Sequence, residues 1–245
     1  MSVLTARGLR PQGVQGAPLD LTLEAGAICC IVGPPQQGKS AWMRALSTVE
    51  PPAQGELRIG GQDVSALDER GWRTLQQRVG YVGVDPSLLS VLSAGDNVTV
   101  AAHYHRIGDH EAIRAKAEHI LERLGWQGAL DALPAYLDDW QRLLIALARC
   151  LMLDPLLLFV HDPFRKVDVA AARSFGATLA GLSREGGVAQ VIVTQHLPFV
   201  RRWASVILFA GSGGLSVHKG WTPFAASPDP AVQDYLEAAA EGVRA

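Results

Sequence analysis

The sequence contains no apolar run near the roughly 18 uninterrupted residues that a membrane-spanning helix needs. Its opening, MSVLTARGLRPQG, has no apolar core of the secretory kind. Both absences predict a chain that stays in the cytoplasm. Cysteine is scarce as well. Cys29 and Cys30 stand side by side in an apolar run and Cys150 stands alone, which excludes a disulfide framework and a metal-ligand spacing and leaves buried free thiols. An excess of one charge is also missing: 22 Lys and Arg against 24 Asp and Glu give a formal net charge of -2. Nucleic acid, which calls for clustered Lys and Arg, is therefore not an expected partner. What the chain does have is 48% hydrophobic residues over a length of 245, enough to bury a full core.

Short apolar runs alternate with amphipathic stretches, the pattern of a mostly parallel sheet covered by helices. Strands are expected at AICCIV (27–32), VGYVGV (79–84), LLLFV (156–160), AQVIVT (189–194) and SVILFA (205–210). From about Leu88 to Leu153 the strand signal vanishes, and EAIRAKAEHILERLG shows helical spacing that ends on Gly125 as a C-cap glycine. PSLLSVLSAGDN and WQGALDALPAYLDD read as the most mobile loops. The expected fold class is α/β: a mostly parallel sheet with an inserted helical subdomain and a C-terminal tail. The core takes about 1–87 and 154–220, the helical subdomain about 88–153, and the tail about 221–245.

The strongest local signal is GPPQQGKS at 33–40. It fits G-x-x-x-x-G-K-[ST], with a strand before it and the helical AWMRALSTV after it. In such a loop the backbone N–H groups form an anion nest at a helix N-terminus. Gly33, Pro34, Pro35, Gln36, Gln37, Gly38, Lys39, Ser40 and Ala41 are thus the candidate nucleotide-binding residues. Lys39 is expected to reach the outer phosphates, and Ser40 to offer its hydroxyl to Mg2+. The prolines and glutamines shape the loop without adding chemistry.

The order of the remaining segments resembles the ATP-binding cassette ATPases of ABC transporters over essentially the whole chain. LDDWQRLLIALARCLMLDP (137–155) is similar to that family's signature helix, LLLFVHDPFRKVD to its Walker B strand and D-loop, and VIVTQHLP (191–198) to its switch-histidine segment. A narrower resemblance, carried by Phe164 in HDPF and by the tail SPDPAVQDYLEAAAEG, is to the ATPase of Mla-type systems that move lipids across the Gram-negative envelope. In that subfamily the tail reaches across to the sister ATPase. The resemblance implies an α/β core of the phosphate-loop NTPase (RecA-like) type, ATP as ligand, a sister ABC ATPase as partner (heterodimer favoured over homodimer), transmembrane permease subunits, an MCE-type lipid-binding subunit, and a peripheral position on the cytoplasmic face of the inner membrane. An unrelated phosphate-loop kinase leaves the ALARCLMLDP helix and the SPDP tail unexplained.

Departures from the family pattern fall on positions that do chemistry. His161 stands where the family has its magnesium-binding Asp, and Asp162 where it has the Glu that polarises water. Mg2+ wants hard oxygen ligands and imidazole suits zinc or copper better, so Mg2+ binding is expected to be weakened. Asp162 holds the position of the general base but is one methylene short, and a misplacement near 1 Å can cost on the order of a hundredfold in rate. His161 as a replacement base is disfavoured, since it is expected to point toward phosphates rather than water. Val84 replaces the Q-loop Gln. Gln195 replaces the switch His, and the neighbouring His196 reads as an ordinary solvated loop residue. In the signature, Asp138, Asp139 and Trp140 replace Ser-Gly-Gly, setting two carboxylates and a bulky ring against the phosphate of the opposite subunit. No aromatic residue precedes Trp42 to stack on adenine. The expected function is an ATP-binding subunit of a membrane ABC transporter, for lipid by resemblance, that holds nucleotide with little or no hydrolysis. The alternative is an active ATP hydrolase subunit of the same kind of transporter.

Overall fold

The structure is a computed structural model that describes residues 1–165 and 167–242. The chain opens with β1 (Ser2–Arg10) and β2 (Leu19–Glu24), then β3 (Ile28–Val32) runs through the phosphate-loop segment into α1 (Lys39–Leu46). Strands β4 (Gln54–Ile59) and β5 (Gln62–Asp63), helix α2 (Glu69–Arg78) and β6 (Val79–Val82) follow. Next come three helices, α3 (Ala94–Tyr104), α4 (His110–Arg123) and α5 (Asp139–Leu151). The remainder alternates: β7 (Leu157–His161), α6 (Val169–Arg184), β8 (Ala189–Val193), α7 (Leu197–Trp203), β9 (Val206–Gly211) and β10 (Gly214–His218). Two helices close the chain, α8 (Trp221–Ala225) and α9 (Pro230–Gly242).

Strands β6, β7, β8, β3 and β9 lie parallel in that spatial order, and β10 pairs antiparallel with β9 at the edge. These five parallel strands are the five expected from the apolar runs. Their continuous hydrophobicity has a structural cause, since both faces of the sheet are covered. Cys30 and Val32 of β3 pack into one core with α3 to α7, while Cys29 and Ile31 pack into the other with α1 and the second sheet. The adjacent cysteines therefore point to opposite faces. Both are free and fully buried, and burial raises their thiol pKa values, so they stay unreactive.

The second sheet, antiparallel in the order β2-β1-β4-β5, has no continuous apolar run to announce it. Its signal is alternation: Leu19, Leu21 and Leu23 of β2 are buried while Asp20, Thr22 and Glu24 face solvent. Between β6 and β7 the described chain is helical. Asp109 caps the N-terminus of α4, and Gly125, at φ 75°, takes the left-handed position just past its end. The loop before α3, expected to be mobile, is tied down by the fully buried Asn97. Its Nδ2 donates to Leu89, Leu92 and Ser93 carbonyls, and its Oδ1 accepts from the Leu89 N–H.

The parallel order places the C-terminal ends of β3 and β7 on one rim, with β8 between them. That rim is where open α/β sheets build their sites.

Candidate nucleotide-binding site

β3 delivers the loop through Gly33, whose φ of 135° and tight approach exclude a side chain: a Cβ there would sit 2.5 Å from the Ala210 carbonyl oxygen. The loop then turns through Gln36 (φ 63°) and Gly38 (φ 70°) into α1. Gln36 is a non-glycine residue in the left-handed region, a conformation held by the surrounding loop. Helix α1 begins on Gly38 with no side-chain cap and no acidic residue in its first turn. By contrast, α2 to α7 are capped by Asp68, Ser93, Asp109, Asp138, Asp168 and His196. The first N–H groups of α1 are thus left for an incoming anion. Pro34 and Pro35 carry no N–H, so donors to that nest start at Gln36.

Lys39 folds back over the loop. Its Nζ donates to the Gly33 carbonyl at 2.7 Å and also to that of Pro34. Burial lowers its pKa, and the nearby Asp162 carboxylate opposes that shift.

His161 ends β7 directly across from α1. Its Nε2 and the Ser40 hydroxyl are 2.8 Å apart, so the imidazole engages the very oxygen expected to serve Mg2+. The ring thus faces the phosphate loop, the side on which it was expected. Its Nδ1 is buried without a hydrogen-bond partner. Burial lowers the His161 pKa, and the cationic Arg44, Lys39 and Arg165 push it the same way, keeping the ring neutral. Asp162 follows at φ 51°, its N–H bonded to the Val193 carbonyl at 2.7 Å. Burial raises its pKa, with Arg165 and Lys39 acting against.

The structure gathers Val84, Asp139, Trp140, His161 and Asp162 around one cleft, with Arg165 at its side. Val84 is exposed in the loop after β6. The Trp140 ring packs edge-on against Phe175 at 4.7 Å. Asp138 has a different job. It is the N-cap of α5, its Oδ1 accepting the Gln141 N–H at 2.7 Å while the Gln141 side chain accepts the Asp138 N–H at 3.1 Å. Asp138 is thus committed to holding its helix, and Asp139 Oδ1 lies 3.8 Å from Arg142 Nη1, so both carboxylates expected to face a phosphate have partners within the chain.

Gln195 is exposed beyond the end of β8 and does not line the cleft. His196 is not a solvated loop residue. It caps α7, its Nδ1 accepting the Phe199 N–H at 3.2 Å, and its ring stacks on Phe164 at 4.7 Å. Sequence reasoning missed Arg44 and Arg165, whose charges bear on His161. Arg44 had a legible signal, lying four residues after Ser40 on the same helix and so on the same face.

A phosphate loop at the rim of a parallel sheet, entering an uncapped helix, defines a nucleotide-binding cassette. A family model described as ABC transporter matches residues 17–165, and the chain belongs to that family. It is similar to the methionine import ATP-binding protein MetN of Xanthomonas oryzae pv. oryzae, 32% identical over 199 residues, which cover 81% of this chain and 59% of the relative. It is also 29% identical over 205 residues to methionine import ATP-binding protein MetN 2 of Burkholderia mallei, covering 83% of this chain and 52% of the relative. The chain thus spans less than two thirds of the length of these relatives. They carry methionine-import names, where Phe164 and the tail had suggested lipid.

Among solved structures, an ATP-binding cassette dimer bound to ADP and Pi superposes with a TM-score of 0.79 at 21% identity, covering 88% of this chain and 98% of that one. cbiO1 of Clostridium perfringens, part of the cbiONQ ABC transporter complex, gives 0.79 at 18% identity, covering 99% and 93%. These likenesses establish the fold. ABC ATPases bind ATP with Mg2+. Ser40 is the residue whose hydroxyl would offer Mg2+ a ligand, and here it is paired with the His161 imidazole.

Proposed function

We propose that this chain is the ATP-binding subunit of a membrane transporter whose phosphate loop holds nucleotide while its own site turns it over slowly or not at all. The observation that supports it most is the 2.8 Å contact between Ser40 Oγ and His161 Nε2. The loop keeps its lysine, its left-handed turns and its uncapped helix, which are the parts that bind phosphate. At the rim, an imidazole stands where the resemblance places a metal-binding carboxylate. Asp138, Asp139 and Trp140 set negative charge and bulk at the start of α5. In this reading the chain works beside a sister ATPase with a complete catalytic set and against transmembrane permease subunits, at the cytoplasmic face of the membrane. No helix among the described residues is long and apolar enough to cross a bilayer itself.

Lipid cargo, with an MCE-type lipid-binding subunit, is the more specific form of the proposal. Its support is Phe164 and the tail alone. Phe164 also has a packing account, being buried against Phe175, His196 and Phe199. The names of the relatives point to methionine instead. Cargo is chosen by other subunits, so purifying the assembled complex and identifying its membrane and binding partners decides between the two.

A second reading, an active hydrolase, is favoured by one observation: burial raises the pKa of Asp162, which makes it a stronger base than an exposed aspartate. Equilibrium ATP binding with and without Mg2+, with Lys39→Ala as control, together with turnover by the purified chain, separates the readings. Binding lost in Lys39→Ala, little affected by Mg2+ and accompanied by no turnover supports the first. Turnover that requires Mg2+ and disappears in Asp162→Asn establishes the second.

A further inference from the structure

The turn that follows β7 is held at several points. Asp162 enters it at φ 51° with its N–H on the Val193 carbonyl at 2.7 Å, and the Arg165 N–H closes it on the Asp162 carbonyl at 3.3 Å. Pro163 and Phe164 are buried beneath it, the ring of Phe164 packing on Phe175, His196 and Phe199. Arg165 is the exposed corner of this turn and lines the cleft beside His161 and Asp162. Among the described residues its guanidinium makes no hydrogen bond or ion pair. The other two cations near His161 are engaged: Arg44 Nε lies 2.7 Å from Glu50 Oε1, and Lys39 Nζ is folded onto the loop carbonyls of Gly33 and Pro34. Because His161 Nε2 is 2.8 Å from the Ser40 hydroxyl, the cleft that Arg165 lines and the uncapped start of α1 share a wall. The Asp162 carboxylate feels both Arg165 and Lys39, each acting against the rise in pKa that burial causes, so the two cations lie within electrostatic reach of one group.

We infer that Arg165 is a phosphate-binding residue of the cradle, a second cation that acts with Lys39 so that a triphosphate is held without a divalent metal. The inference rests on reading the loop as a nucleotide cradle. A triphosphate carries several negative charges, and one lysine with a helix N-terminus leaves part of them unmatched. A guanidinium can supply the rest, since it is always charged, planar and able to grip two phosphate oxygens at once. At this rim the Ser40 hydroxyl is taken up by the His161 imidazole, whereas the Arg165 guanidinium is unpaired on a turn whose backbone is fastened at both ends. The ligand class is a polyphosphate, because Lys39, Arg165 and the first N–H groups of α1 all recognise anionic oxygen and none of them reads a base.

The test uses the full chain and two variants, Arg165→Gln and Arg173→Gln. Both replace an exposed arginine, and Arg173, on α6, lies outside the cleft, so it controls for the change in net charge. Binding of ATP and of inorganic triphosphate is measured in EDTA and again in Mg2+. The wild type should bind both ligands in EDTA. Arg165→Gln should weaken each about ten- to a hundredfold, the span of a hydrogen bond to a charged group, while Arg173→Gln matches the wild type. Wild-type affinity for ATP in Arg165→Gln, or an equal loss in Arg173→Gln, overturns the inference. So does a loss confined to ATP, which would place Arg165 on the nucleoside rather than the phosphates. If the wild type binds ATP only when Mg2+ is present, the metal supplies the charge; the inference falls and the nucleotide reading stands. If it binds neither ligand at millimolar concentration under either condition, the nucleotide reading fails and takes the inference with it.

Discussion

Replacing Asp138 separates what the fold asks of the signature position from what chemistry would ask of it. Asp138 Oδ1 takes the Gln141 N–H at 2.7 Å, and Gln141 returns a bond to the Asp138 N–H at 3.1 Å, a reciprocal capping box at the head of α5. Ser is an equally good cap, whereas Ala is not. Asp138→Ala therefore costs about 1 kcal/mol, an N-cap's usual worth, and lowers the melting temperature of a chain this long by about 2–4 °C. Asp138→Ser keeps an acceptor oxygen and loses the charge. Asp138 is exposed, so the lost interaction with the helix dipole is at the low end, about 0.3 kcal/mol, or roughly 1 °C. Thermal and urea unfolding of the three proteins give the comparison. Equal loss in Ser and Ala, or no loss in either, would refute the capping account. In the assembled transporter the same Asp138→Ser change, combined with Gly at Asp139 and Trp140, should raise the ATPase rate, because it removes charge and bulk without undoing the helix. An unchanged rate there would sink the repulsion argument while leaving the cap intact.

Three further outcomes follow from the same geometry. His161→Asp together with Asp162→Glu should make ATP binding depend on Mg2+, with affinity about tenfold or more higher in Mg2+ than in EDTA, as a charge-assisted ligand contact is worth; no Mg2+ effect would count against the alignment of β7 with a metal-binding strand. Burial first, then Arg44, Lys39 and Arg165, depress the His161 pKa below its ordinary 6.5, so the unfolded chain binds the proton that the folded one refuses. Stability from this source is present above about pH 6.5 and lost as the pH falls below it. The melting temperature of His161→Gln should decline less than wild type between about pH 7 and 5.5, with a residual slope from His196 and His218, which burial shifts the same way. Phe164→Ala should destabilise the fold by about 3–5 kcal/mol in denaturant titrations, the usual cost of a buried Phe; a change under about 1 kcal/mol would refute the packing account of this residue.

The parallel sheet was legible because its strands are buried on both faces, and Ile28 to Val32 or Leu157 to Val160 can only be continuous apolar runs. The antiparallel sheet was not, since β1, β2 and β4 mix polar and apolar residues, and their period-2 signal is short and interrupted by Gly8 and Gly55. The phosphate loop was legible as a motif, but the side-chain bonds around it were not. Nothing in HDPF says that His161 will meet Ser40 across 121 positions, and nothing in VTQHLP says that the strand stops at Val193 so that His196 can begin a helix.

Under the proposed reading, several residues at the rim still meet a local demand of the fold. Asp138 supplies the cap that α5 requires, His161 gives the Ser40 hydroxyl a partner, and His196 satisfies the first free N–H of α7 while stacking on Phe164. His161 Nδ1 at the site itself stays buried without a partner, as do Trp42 Nε1, Trp126 Nε1 and Gln190 Oε1 elsewhere among the described residues. The consequence falls on the pair rather than the monomer. ABC sites are composite by the family resemblance, so on this reading a competent sister would lend its signature to this loop and receive Asp138, Asp139 and Trp140 against its own. The first of these sites would then hold ATP without turnover and the second would be slowed by charge. A mixed dimer should therefore retain one tightly held nucleotide per pair through many turnovers. Release of both nucleotides at the turnover rate, followed with labelled ATP, would show instead that this chain's loop takes part in the cycle.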